Sequence, residues 1–166
     1  NEAGNEAGNE AGNEAGNESV PQDCMYQRNT ETSLIALSFP YTDTIGVEGI
    51  SIGLYHALSP QNIQLWGDKI AVGFRPSELD FTQDGAWLLV LGERGEIASI
   101  DLRNEVPELT DIVSLPVGAY REIYKQPQSR TFDVINANNN EESGIYQVNI
   151  DCNGLLSVDQ EYAYLR

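Results

Sequence analysis

His56 is the most chemically versatile side chain in this sequence, because it is the only imidazole that could act as a general base. A Ser-His-Asp triad would need it, because no other imidazole base is available. A zinc site is also disfavoured, since one histidine and two distant cysteines do not supply a tetrahedral set. We therefore expect His56 to be structural or exposed, and we predict neither catalytic residues nor a resident cofactor.

Calcium is the one metal that the oxygen ligands of this chain would suit. Those ligands are concentrated in a single stretch without the spacing of an EF-hand, so we interpret it as a solvated loop and keep Ca²⁺ as the alternative. The stretch comprises Asn136, Asn138, Asn139, Asn140, Glu141 and Glu142. Four aspartates elsewhere are predicted to form turns and cap backbone N–H groups; these are Asp80, Asp84, Asp101 and Asp151.

The chain is strongly acidic, with a formal net charge of −17. Such a surface repels phosphate backbones and anionic lipid heads, so we expect no nucleic-acid partner. No apolar run approaches the length of a membrane span, and we expect no direct membrane crossing.

Cys24 and Cys152 are the two cysteines, one near each end of the portion expected to fold. Pairing them would close a long loop and stabilise the chain by about 4–5 kcal/mol in the chain-entropy account. Together with the acidity and low lysine content, this favours an exported protein (periplasmic, cell-surface or extracellular) with one disulfide. The alternative is two buried free thiols in a cytosolic protein.

Residues 1–19 form a separate region that begins with four copies of Asn-Glu-Ala-Gly. Glycine at every fourth position opposes a helix, and alanine is the only apolar residue of the repeat, so it cannot bury a core. We expect an acidic linker or tail followed by one domain over residues 20–166.

Short apolar segments separated by turn residues predict an all-β fold from there on. Ser33–Phe39 is the first expected strand, and Gly67-Asp68 suggests a hairpin between its flanking segments. Farther along, Asp84-Gly85 predicts a tight turn before Trp87–Leu91, a run that is apolar on both faces and so reads as a strand buried on both sides.

An internal repeat relates residues 70–102 to residues 115–151. Trp87–Leu91 aligns with Phe132–Asn136, and Ile100-Asp101 aligns with Ile150-Asp151. A period in the mid-forties that holds four short strands is typical of β-propeller blades.

The first copy resembles the YVTN and lactonase-like β-propeller repeats of exported prokaryotic proteins. The resemblance covers about half of the chain and implies a fold rather than an activity. In the second copy Pro76 has no counterpart and Gln128-Ser129 replaces Asp-Gly. The residues that carry the resemblance are Val72, Gly73, Pro76, Leu79, Phe81, Asp84, Gly85, Gly95, Ile100 and Asp101.

About three blades fit into this length, fewer than the four or more of closed propellers. The chain is then part of a larger propeller, a component completed by other chains, or an open three-sheet domain with its ends joined by a disulfide. Tyrosines in the last third suggest a contact surface, with ordinary sheet packing as the alternative; they are Tyr120, Tyr124, Tyr146, Tyr162 and Tyr164.

These features together predict a non-enzymatic, exported, β-propeller-like module that binds protein partners or copies of itself. Two alternatives stay open at this point. The chain could be a fragment of a lactonase-like propeller enzyme, or a structural subunit of a surface filament.

Overall fold

The computed structural model describes residues 26, 33–39, 51–116, 118–127, 129–136 and 144–161. The predicted all-β class is confirmed: these residues form twelve antiparallel strands in three sheets of four, and none of them lies in a helix. The strands are β1 (Ser33–Phe39), β2 (Ser51–Ser59), β3 (Asn62–Leu65), β4 (Ile70–Ala71), β5 (Pro76–Phe81), β6 (Trp87–Gly92), β7 (Glu96–Asp101), β8 (Glu108–Ser114), β9 (Tyr120–Lys125), β10 (Thr131–Asn136), β11 (Ile145–Ile150) and β12 (Leu156–Glu161).

The N-terminal sheet is built around β2, which pairs with β1 along one side. Along its other side β2 pairs with β3 and, farther on, with β4. The predicted hairpin at Gly67-Asp68 is therefore wrong. Gly67 does adopt a positive φ of 71°, but the segments on either side of it pair with β2 in succession and form one interrupted edge.

The central and C-terminal sheets are four-stranded meanders of the same design, β5–β8 and β9–β12. The internal repeat is confirmed at this level, because its aligned segments occupy equivalent strands. Trp87–Leu91 lies in the second strand of one meander and Phe132–Asn136 in the second strand of the other. Each meander corresponds to one predicted blade.

The core has two apolar layers, one on each face of the central sheet. Leu88 and Val90 of β6 pack toward the N-terminal sheet, against residues such as Ile52 and Leu54. Their neighbours Trp87 and Leu89 pack toward the C-terminal sheet. All of Trp87–Leu91 is 0% exposed, which confirms that this run is buried on both sides.

The chain reverses direction in the turn before β6, and Gly85 and Asp84 stabilise this turn. Gly85 has a φ of 69°, a conformation that favours glycine, and its N–H donates to the carbonyl oxygen of Thr82. The Asp84 carboxylate accepts bonds from the Thr82 hydroxyl at 2.6 Å and from the Ala86 N–H at 3.0 Å. The predicted Asp-Gly turn is confirmed.

The described sheets follow one another as blade-like layers, and over these residues they do not close into a ring. The N-terminal and C-terminal sheets are therefore the ends of the described stack, and each has an outer face that points away from the core. These two outer faces differ in polarity. The Asn-Glu-Ala-Gly repeat and its boundary at residue 19 lie outside the described residues.

Candidate interaction face

The predicted tyrosine surface is divided between the core and the solvent. Tyr120 is 1% exposed, and its ring lies 6.0 Å from that of the half-buried Tyr146. Burial raises the pKa of the Tyr120 phenol, which donates to the carbonyl oxygen of Pro116 at 2.7 Å. Tyr124 is 51% exposed and donates to the Glu122 carboxylate, which raises the pKa of its phenol. Tyr162 and Tyr164 lie outside the described residues.

His56 and Cys152 lie far from each other in the fold. The His56 ring is 4.6 Å from that of Trp66, whose indole N–H donates to the carbonyl oxygen of Glu105 at 2.6 Å. Cys152 is half-buried in the turn between β11 and β12 and is not a free thiol. Its expected partner Cys24 lies outside the described residues, so the Cys24–Cys152 pairing stays a prediction.

The oxygen-rich stretch considered for calcium also falls mostly outside the described part, which omits 137–143. Asn136 is buried, and its side-chain oxygen accepts a bond from the Ala119 N–H at 3.4 Å. No group of three or more His, Cys, Asp or Glu side chains is placed to hold a metal ion among the residues that the structure describes.

Three of the four aspartates predicted to form turns do so. Asp84 accepts the Ala86 N–H, Asp101 accepts the Arg103 N–H at 2.8 Å, and Asp151 accepts two backbone N–H groups in the turn before β12. Asp80 was predicted wrongly: it lies within β5, where it accepts a bond from Lys125 Nζ at 3.4 Å across the two sheets.

Polar contacts join the central sheet to the C-terminal sheet. The Glu78 carboxylate accepts the Ile123 N–H at 2.5 Å, and burial raises the pKa of this group despite that bond. Arg130 donates to Asp84 at 2.6 Å. Arg103 donates to the carbonyl oxygen of Cys152 at 2.8 Å. These acids therefore serve to hold two sheets together.

The outer face of the N-terminal sheet is mainly apolar, although Ser33 and Ser51 also lie on it at the ends of β1 and β2. Strand register places Leu37 beside Gly53, and Tyr55 between Ile35 and Leu65. The core-facing side chains of β1 and β2 have the opposite parity, so this set points away from the central sheet. We call it the N-terminal outer face; its residues are Ile35, Leu37, Phe39, Tyr55, Ala57, Ile63 and Leu65.

Three aliphatic side chains of this face are about half exposed to solvent in the single chain. Leu37 is 48% exposed, Ile63 52% and Leu65 44%. Exposed large aliphatic side chains grouped on one sheet face make that face a candidate contact surface.

Gly53 lies at the centre of this face, where a side chain would collide with two aromatic rings. A Cβ built on Gly53 would lie 2.9 Å from the Phe39 ring and 3.0 Å from the Tyr55 ring. The two rings can therefore lie over the backbone only because this position carries no side chain. The centre of the face is therefore covered by two aromatic rings.

Charge is absent from the strands of this sheet. None of β1–β4 contains Asp, Glu, Lys or Arg, in a chain with 26 acidic residues. An ammonium group does lie at the face: Lys69 Nζ, between β3 and β4, is 3.9 Å from the centre of the Phe39 ring. The strands themselves supply an apolar surface without charged side chains.

The outer face of the C-terminal sheet has the opposite character. Its side chains bond to one another: Thr131 donates to Asn149 at 2.6 Å, and Asn149 donates to Asp159 at 2.9 Å. Gln126 donates to Asp133 at 2.9 Å at the other end. We call this set the C-terminal outer face; it comprises Glu122, Tyr124, Thr131, Asp133, Ile135, Ile145, Gln147, Asn149, Ser157 and Asp159.

Sequence reasoning did not identify the N-terminal outer face, although a signal was present. In Ser33–Phe39 apolar residues occupy both parities, and residues 51–66 contain no charged side chain. Apolar residues on both faces of a strand indicate burial on both sides. The same rule describes Trp87–Leu91, which is buried on both sides; in β1 it indicates a second apolar face, which the described chain leaves partly exposed.

Comparison of the chain with protein families, with curated proteins and with solved structures found no match. Over the described residues there is also no helix with the length and hydrophobicity needed to cross a membrane.

Proposed function

We propose that this protein is a non-enzymatic, exported assembly module of β-propeller-like blades, which binds another protein through its N-terminal outer face. The observation that carries the proposal is the uncharged sheet face on which Leu37, Ile63 and Leu65 are each about half exposed. Resemblance to YVTN-type repeats and the expected disulfide support the propeller-like and exported parts of the proposal.

Comparison with the central sheet supports a packing role for this face. Both faces of the central sheet are covered by neighbouring sheets, and its middle strand is completely buried. The N-terminal sheet carries apolar side chains on both faces in the same way, but only one of them meets a neighbour among the described residues. Covering the other face with a protein surface would remove the remaining apolar side chains from water, at about 25 cal/mol per Å².

The test uses the full chain and two matched double variants. L37S/L65S makes the N-terminal outer face polar, and I135S/I145S changes two aliphatic side chains on the C-terminal outer face. Native mass by light scattering reports whether the face is buried by association, and fluorescence of an apolar dye such as anilinonaphthalene sulfonate reports whether it is free.

The wild-type protein should either exceed its monomer mass or bind the dye, and L37S/L65S should lose that property while I135S/I145S keeps it. Equal mass and equal dye fluorescence in all three proteins would contradict the proposed function. Circular dichroism of each variant confirms that the sheets are retained.

A further inference from the structure

We infer that the partner of the N-terminal outer face is a second copy of this chain, packed face to face about a two-fold axis. This inference rests on the proposed function and specifies the occupant of the same face. Two copies would form a sandwich in which Leu37, Tyr55 and Leu65 of each copy are covered by the same face of the other.

Electrostatics selects this face for contact between copies. Each copy carries a net charge of −17, so two copies repel one another over most of their surfaces. The strands of the N-terminal sheet contain no charged residue, whereas β5–β8 and β9–β12 all lie in sheets that contain carboxylates. Contact through the strands β1–β4 therefore brings no strand carboxylates together, whereas contact through the strands of either other sheet would.

The difference in polarity between the two outer faces favours a two-fold arrangement of the copies over a head-to-tail one. Head-to-tail packing would place the N-terminal outer face of one copy on the C-terminal outer face of the next, which leads to a ring or an open filament. That arrangement would bury Asp133 and Asp159 against aliphatic side chains, and burying a carboxylate is costly where its bonds come from neutral amides, as those from Gln126 and Asn149 do. A two-fold arrangement instead places apolar surface on apolar surface.

The dimensions of the face set the expected affinity. Three strand positions at about 4.8 Å and seven residues at about 3.3 Å each give a patch about 14 Å wide and 23 Å long. This is small beside a standard interface of about 800 Å² per partner. We therefore expect a weak dimer whose population depends on concentration.

The experiment mixes two variants of the full chain that carry opposite charges on the face, L37E/L65E and L37K/L65K. Sedimentation equilibrium between about 1 and 500 µM would be measured for each alone, for their equimolar mixture and for the wild type. Like charges across the interface should weaken dimerisation of either variant alone by about 100-fold or more. The mixture should form a heterodimer, because opposite charges then face one another.

The outcomes separate this inference from the proposed function. A wild-type dimer, monomeric single variants and a dimeric mixture support the two-fold sandwich. A wild-type chain that stays monomeric up to 500 µM overturns the second copy as partner, yet the proposed function stands if that monomer binds the apolar dye through this face. A mass series beyond the dimer that I135S/I145S abolishes overturns the two-fold packing in favour of head-to-tail contact. If the charged variants fail to fold, the mass of the wild type still decides between dimer and monomer.

Discussion

The outer faces of the N-terminal and C-terminal sheets differ in polarity, although each sheet has four strands. On the C-terminal outer face, Thr131, Asn149 and Asp159 form a chain of hydrogen bonds across three strands. On the N-terminal outer face the corresponding surface is filled by aliphatic and aromatic side chains, and Leu37 and Leu65 are about half exposed. The two end sheets of the described stack thus differ: one has a hydrogen-bonded polar outer face, and the other has an apolar outer face that is partly exposed.

The inner faces differ in a related way. The C-terminal sheet is joined to the central sheet by charged contacts, including Arg130 with Asp84 and Lys125 with Asp80. The core between the N-terminal and central sheets is apolar, with Trp66 donating to the Glu105 carbonyl oxygen at its margin. Within the twelve described strands, the acidic residues therefore lie in the central and C-terminal sheets and not in the N-terminal sheet.

The largest expected effect contrasts the inner and outer faces of the N-terminal sheet. L54A removes a side chain that is 1% exposed and should lower the free energy of unfolding by about 3 kcal/mol, because a cavity remains in the core. L65A removes a side chain that is 44% exposed and should cost less than about 1 kcal/mol in the monomer. Urea unfolding at sub-micromolar concentration measures both values.

Equal losses for the two leucine variants at that dilution would mean that the outer face is part of the core of the single chain. The N-terminal outer face would then not be a surface available for contact, and its contrast with the C-terminal outer face would be wrong.

A smaller effect should come from the charged contacts that hold the C-terminal sheet. Burial alone would raise the pKa of Asp84, but hydrogen bonds from Thr82, Ala86 and Arg130 outweigh it and lower the pKa. The stability gained from this group is therefore present above its unfolded pKa of about 3.9 and is lost as the pH falls through the lower folded value. D84N should cost about 1–2 kcal/mol at pH 7.

Urea unfolding of wild type and D84N at pH 7, 5 and 3 measures this difference, which should persist at pH 5 and shrink toward pH 3. L65A serves as the control, because it removes no titratable group and its effect should be the same at all three pH values. A D84N effect that grew on acidification would contradict the role assigned to Asp84.

The smallest effect concerns the hydrogen-bond chain on the C-terminal outer face. N149A should cost about 0.5–1 kcal/mol, because the Thr131 hydroxyl and the Asp159 carboxylate can bond to water instead. It should leave the native mass unchanged at all concentrations, and light scattering checks this. A change in mass would show that the C-terminal outer face also takes part in association.

Much of the architecture follows from sequence patterns because it depends on local rules. Trp87–Leu91 is apolar at both parities and is buried on both sides, and Asp84-Gly85 supplies the turn that precedes it. The Gly67-Asp68 hairpin failed because a turn residue fixes a local bend and not the strand that the next segment pairs with. Ile70 and Ala71 pair with β2, whose long edge offers backbone groups beyond the end of β3.

The N-terminal outer face was harder to predict for a physical reason. Tyrosine suits both sheet interiors and protein contacts, so composition could not distinguish the buried Tyr120 from the exposed Tyr124. The face became visible only when strand register placed Leu37, Tyr55 and Leu65 side by side on the sheet surface. Its uncharged composition is present in the sequence, but the face on which those residues lie is set by the pairing of β1, β2 and β3.

Hydroxyl-radical footprinting of the wild-type chain across a concentration series tests the central claim most directly. We predict that oxidation of Leu37, Ile63 and Leu65 falls as the concentration rises through the micromolar range, while exposed aliphatic residues of the other sheets, such as Ile112 and Leu155, keep a constant rate. Oxidation of Leu37, Ile63 and Leu65 that stays constant at every concentration, or protection confined to Ile135 and Ile145, would contradict the assignment of the N-terminal outer face as the surface through which copies of this chain meet.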